Sequence, residues 1–166
     1  MPPGTANGIA TVTVNAPGGQ VFTGNAMIAG VAPALFTANA TGAGPVAANF
    51  VLVRANGTQS SIPVATCDAS GNCVAVPLDL STLSAGGQAA LVLYGTGIRQ
   101  RSALANVSVN IAGVARQVTF AGAQGTYAGL DQVNVTLTSD LKGTGRQVVS
   151  VTVDGLTTNQ VQVQFQ

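Results

Sequence analysis

The side chains with chemical potential in this chain are two cysteines, six cations and five acids, all of the acids aspartates. Cys67 and Cys73 enclose Asp68-Ala69-Ser70-Gly71-Asn72, a polar turn between Val64-Ala65 and Val74-Ala75-Val76. In an exported protein such a pair predicts a disulfide closing the neck of a hairpin, contributing roughly 2 kcal/mol by loop entropy. The competing readings are a reduced pair, or half of a zinc site lacking its other two ligands, since the chain has no His and no further Cys. Asp68, Ser70 and Asn72 at alternate positions, with Asp79 further on, have the outline of a calcium loop's oxygen ladder. Cys73 stands where that loop needs glycine and the closing acid is not the bidentate Glu, so Asx-turn hydrogen bonding accounts for the same residues.

Arg99, Arg101 and Asp131 are the other charged set. They form either an anion-binding notch or Arg–carboxylate braces between loops, and bracing is the commoner use. Tyr94-Gly95-Thr96-Gly97 follows an apolar run, which raises a phosphate loop. That site needs a helix directly after the glycines, and Ile98-Arg99-Gln100-Arg101-Ser102 has no helical period behind it. A bulge or a crossover between sheets explains the glycines instead. Lys142, the only lysine, raises an isopeptide link to an Asn, but with no Glu present only an Asp is left as the acid. Asn39, Asn56, Asn106 and Asn134 open formal glycosylation sequons, which arise by chance in a chain rich in Thr and Asn. Of the rings, Phe22, Phe36, Phe50, Phe120, Phe165 and Tyr94 read mostly as core, and Tyr127 is the one loop candidate for contact with a ligand such as a glycan.

The inventory excludes whole reaction classes. Without His there is no Ser-His-Asp or Cys-His nucleophile and no imidazole metal site. The aspartates, spread from Asp68 to Asp154, show no paired-acid motif for glycoside hydrolysis. A net charge of +1 lacks the basic footprint of a nucleic-acid binder. An enzyme is not expected, nor is a cofactor or a metal. Mean hydropathy is +0.41, yet the longest apolar run, Met27 to Phe36, is broken by Gly30 and Pro33 and is far short of the roughly 20 residues that span a bilayer. One alternating barrel strand cannot close a barrel, so no membrane insertion is expected and the chain reads as soluble. Met1-Pro2-Pro3-Gly4-Thr5 carries neither a basic nor an apolar leader region, and Met1 reads as a start placed before an excised domain.

These residues need elements to hold them, and the period is two almost throughout. Ile9 to Val14 alternates, Pro17-Gly18-Gly19 turns, and Gln20 to Ala29 returns. Asn49 to Arg54 and Gln59 to Ala65 flank Asn56-Gly57, a strong hairpin signal. Ala89 to Tyr94 reads as a central strand buried on both faces. Val107 to Ile111 and Ala115 to Phe120 flank Ala112-Gly113; Gln132 to Leu137 alternates; Val148 to Val153 turns at Asp154-Gly155 into Asn159 to Phe165. Only Leu78 to Leu83 and Leu137 to Leu141 suggest a helical turn, with Ser81 and Ser139 as caps. About ten short strands with turns every 8–12 residues predict an all-β, immunoglobulin-like antiparallel β-sandwich with little or no helix.

One internal repeat bears on organisation. Pro3-Gly4-Thr5, Thr11-Val12-Thr13-Val14, a Gly turn and Thr23 to Ile28 run parallel to Lys142 to Gly145, Ser150 to Val153, Asp154-Gly155 and Thr158 to Val163. Residues 1–30 are then the tail of a preceding unit and 31–166 the next; alternatively two Thr/Val hairpins merely look alike, or the first hairpin supplies the opening strands of one sandwich.

From Val31 onward the chain carries Val31-Ala32-Pro33-Ala34-Leu35-Phe36-Thr37-Ala38-Asn39, Arg54-Ala55-Asn56-Gly57-Thr58-Gln59 and Pro77-Leu78-Asp79-Leu80. Leu91-Val92-Leu93-Tyr94-Gly95-Thr96-Gly97-Ile98-Arg99, Ala121-Gly122-Ala123-Gln124, Gly129-Leu130-Asp131-Gln132-Val133-Asn134-Val135 and Val151-Thr152-Val153-Asp154-Gly155 follow. In order and spacing these resemble the domain at the C-terminus of many uncharacterised secreted proteins of Solibacter and other Acidobacteria. The segment before it is similar to the closing strands of TIG-type immunoglobulin-like repeats. The resemblance implies an extracellular or cell-surface, non-catalytic module appended to repeat-rich proteins, with no catalytic residues to carry over. The expected partners are other domains of the parent protein, further copies joined through sheet edges, or, as the alternative, a glycan.

Overall fold

The computed structural model describes residues 5–166, apart from the side chains of Thr82 and Ser84; the Pro2-Pro3-Gly4 part of the opening turn and of the internal repeat lies outside the described residues. The chain divides into two compact units, Met1–Gly30 and Val31–Gln166. The first holds one hairpin, β1 (Gly8–Asn15) and β2 (Val21–Ile28), paired antiparallel along eight residues each without a bulge.

The second unit continues with β3 (Ala34–Leu35), β4 (Ala48–Val53), β5 (Gln59–Pro63), β6 (Ala65–Cys67), β7 (Cys73–Ala75), β8 (Pro77–Leu78) and β9 (Gln88–Thr96). Then come β10 (Val107–Ile111), β11 (Val114–Arg116), β12 (Val118–Ala123), β13 (Asp131–Leu137), β14 (Gly145–Val153), β15 (Leu156–Thr157) and β16 (Val161–Phe165). Ten of these strands, counting β1 and β2, have five or more residues; the rest are stubs of two or three. The fold is all-β, and among the described residues its helical content is three 3-10 turns, at Ser81–Ala85, Leu104–Asn106 and Ser139–Leu141. One sheet runs β11-β10-β14-β16-β8, with β15 also on β14; the other runs β12-β13-β9-β4-β5, with β3 also on β9. All named pairs are antiparallel except β16 with β8.

Alternation builds the core. Leu91 and Leu93 of β9, Val133 and Val135 of β13, and Phe50 of β4 point inward from one sheet. Val109, Val149, Val151, Val161, Val163 and Phe165 meet them from the other, in a single buried cluster. This makes a two-layer β-sandwich. The turns obey backbone sterics: Ala112-Gly113 (φ 57° and 81°) and Asp154-Gly155 (φ 47° and 84°) put both central residues at positive φ, as two-residue hairpins with the twist of their strands require.

Four local expectations need correction. Ala115 to Phe120 is not one strand: it breaks at Gln117, so that β11 pairs with β10 and β12 crosses to β13 in the facing sheet. β9 is buried on one face only, because it alternates between core and a half-exposed outer face. Neither predicted cap acts. Asp79 caps the first 3-10 turn by accepting from Ser81 N at 2.8 Å, and the turn at Ser139 begins after Thr138 without a side-chain cap. Most of the rings are not core: Phe50 and Phe165 are buried, whereas Phe22, Phe36, Phe120 and Tyr127 are exposed and Tyr94 lies half-buried on the outer face.

Candidate functional site

β9 ends in one sheet and β10 begins in the other, so residues 97–106 cross the end of the sandwich. One aspartate from each sheet holds the crossing. Asp131, the first residue of β13 and fully buried, accepts from Ile98 N at 2.7 Å and Arg99 N at 3.1 Å, and pairs with Arg99 Nε at 2.5 Å. Arg99 Nη2 donates onward to Leu130 O at 2.8 Å. Asp154, in the β14–β15 turn, accepts from Ser102 N at 2.9 Å and Ser102 Oγ at 2.6 Å, and Asn106 Nδ2 donates to that hydroxyl at 2.7 Å. The Ser102 hydroxyl and then its N–H hold the Asp154 carboxyl below its ordinary range. Arg99 and Asp131 thus form a brace; Arg101 stands apart from it, with its Nε buried and without a hydrogen-bond partner.

The glycines before the crossover serve close backbone approach. Residues 32–36 run beside the end of β9, with Ala32 N donating to Gly97 O and Phe36 N to Tyr94 O, each at 3.0 Å. A Cβ on Gly95 would fall on the carbonyl oxygen of Ala34 and one on Gly97 on that of Ala32, and Gly97 sits at φ +72°. The surface a phosphate would need is occupied by the chain's own backbone.

The cysteines are disulfide-bonded, with Cα atoms 4.0 Å apart in register between β6 and β7. Within the loop they close, Asp68 accepts from Ser70 N, Asn72 N and Asn72 Nδ2 at 2.9, 2.9 and 3.1 Å. The Asn72 side chain, then its backbone N–H, holds this carboxyl below its usual range. Asp79 turns instead to the Ser81 N–H and hydroxyl, so the proposed oxygen ladder is divided between two loops. Lys142 is exposed.

Spacing gave no sign of a further brace. The Arg116 side chain, only 7% exposed, binds Asp140 through two contacts, Nη1 to Oδ1 at 3.0 Å and Nη2 to Oδ2 at 2.8 Å, while Nη1 also donates to Thr138 Oγ1. Arg116, then the Thr138 hydroxyl, lowers the Asp140 carboxyl to about 2.

The outer face of the β12-β13-β9-β4-β5 sheet differs from that of its partner. Register aligns Asn49, Val92, Asn134 and Phe120 in one row, and Tyr94, Gln132 and Gly122 in the next. Asn49 Nδ2 donates to the Tyr94 hydroxyl at 3.2 Å, and Gln132 Nε2 to Asn134 Oδ1 at 2.7 Å. The Arg101 guanidinium and the Phe120 ring both come down on Gly122, each within 3.4 Å of where a Cβ would stand. On the other sheet the outward pairs are Ser108 with Thr152, Asn110 with Ser150, Val148 with Gln162 and Arg146 with Gln164, without a ring among them. Tyr127, 68% exposed, sits at the tip of the β12–β13 hairpin.

No protein-family model, curated protein or solved structure matches the chain.

Proposed function

We propose that the chain is a non-catalytic structural and adhesion module of the cell exterior, from the C-terminal end of a secreted or surface bacterial protein, that joins copies of itself through its strands. The observation that carries this reading is the use of the acids: all five carboxylates accept hydrogen bonds that fix loops, Asp68 and Asp79 within their own turns and Asp131, Asp140 and Asp154 between elements. Such a chain keeps its acids for rigidity. The disulfide suits an oxidising exterior. The edge strands β5 (Gln-Ser-Ser-Ile-Pro) and β12 (Val-Thr-Phe-Ala-Gly-Ala) contain no charged residue, the usual deterrent to strand addition, although Pro63, a bulge near Thr119 and the Arg101 guanidinium over Gly122 blunt them in part. The test is bead clustering: beads coated densely with the chain clump with one another, because many weak contacts add on a surface. Coated beads that stay dispersed at every density contradict the reading.

A second reading, a carbohydrate-binding module, is favoured by the outer face that gathers Tyr94, Asn49, Gln132, Asn134 and Phe120. Amides and rings on a sheet with little charge suit a neutral sugar chain, and this face serves better than the lone Tyr127. Retardation in gels containing soluble polysaccharides, lost on Tyr94→Ala, supports it; unretarded migration across a broad polysaccharide set removes it.

A further inference from the structure

We propose that the β1–β2 hairpin is the self-association site, packing one of its faces against the same face of a second copy. The inference rests on the self-association reading above and assigns it a place. Register sorts the hairpin into two faces. Gly8 with Ile28, Ala10 with Ala26, Val12 with Gly24 and Val14 with Phe22 lie on one side, which is wholly apolar. The other side is mixed: Thr11 with Asn25 and Thr13 with Thr23 occupy its middle, Asn15 with Val21 one end, and the exposed pair Ile9 with Met27 the other. On the apolar side Val12, Val14 and Phe22 are 41%, 55% and 58% exposed.

A ribbon of two strands is marginally stable at best in water, and more strands or a second layer over its apolar face steadies it. The second unit contains the comparison. Its β14–β16 pair, the counterpart in the internal repeat, buries Val149, Val151, Val153, Val161, Val163 and Phe165 beneath the facing sheet. The β1–β2 face takes an apolar β-layer of the same kind, and another β1–β2 face is one.

Charge favours a second copy as that layer. No charged residue occurs before Arg54, so two hairpins meet without like-charge repulsion and without the lysines that keep strands apart. Area sets the strength. Two eight-residue strands make a face about 26 by 10 Å, so contact removes on the order of 600 Å² in total, about half of the smallest area that stable complexes bury. The contact is therefore weak and reversible, suited to copies already held close together.

The test uses the absence of tryptophan from the chain. With Phe22→Trp the only indole sits on the face; its emission moves to the blue between micromolar and millimolar protein while sedimentation reports growing mass. Val114→Trp, on the exposed end of β11, stays at the solvent value. Val14→Lys with Phe22→Lys abolishes the association, and Thr13→Lys on the opposite face leaves it intact. Association that survives the double lysine variant overturns this site and leaves the self-association reading standing. A chain that remains monomeric with a solvent-like indole throughout overturns both. Blue emission already present in the dilute monomer overturns the site as well, because the face is then covered by its own chain.

Discussion

Asp131 is the one fully buried acid, and its two backbone donors and the Arg99 guanidinium explain how a carboxylate is kept there. Arg99, Arg101 and Asp131 stand out in a chain with so few charges, and the first and last do meet; which arginine is used depends on where a strand ends and so does not follow from spacing. The Arg116–Asp140 brace spans 24 residues and was illegible for the same reason. Gly97 makes the sharpest residue-level prediction. Gly97→Ala places a side chain at positive φ against the Ala32 carbonyl, and the backbone conformation alone costs about 1–3 kcal/mol; urea unfolding should show at least that loss. The acids predict a pH response. A carboxyl whose folded pKa lies below its unfolded value contributes stability that is complete above the unfolded pKa and is lost as pH falls through the folded one. For Asp140, from an ordinary 3.8 to about 2, that loss lies below about pH 4. With neither His nor Glu in the chain, the melting temperature should stay level from neutral pH down to about 4 and fall beneath it, and Asp140→Asn should shrink that fall.

At the scale of elements, periodicity carried far. Ile9 to Val14 and Gln132 to Leu137 alternate in sequence and are strands in the fold, and Asn56-Gly57, Ala112-Gly113 and Asp154-Gly155 each turn a hairpin. The misplaced faces have one cause: period two tells which residues share a face but not which face is covered. Rings favour burial, which points Tyr94 and Phe120 to the core, yet both lie on the outer face. The break at Gln117 is hidden because no Gly or Pro lies between Val114 and Phe120 to mark where β11 ends and β12 crosses to the facing sheet. The disulfide-closed β6–β7 hairpin forms a two-stranded sheet off both main sheets. Replacing Cys67 and Cys73 together by Ser should therefore lower unfolding free energy by about 2 kcal/mol without changing the far-ultraviolet β spectrum. A loss of strand signal would show that the bridge organises more than its own loop.

Across the whole molecule, charge and cohesion are segregated. Every charged side chain lies at Arg54 or beyond, where the acids fasten loops, and the hairpin at the other end is neutral and apolar on one face. On the proposed reading, the carboxylate-fixed loops supply rigidity and the uncharged hairpin supplies the contact between copies. The measurement that bears most directly on this account is sedimentation equilibrium of the whole chain, from micromolar to millimolar protein, at low and high salt. Hydrophobic contact between uncharged faces predicts reversible association that salt does not weaken. A single monomeric species at every concentration, or association that vanishes as salt rises, would contradict it.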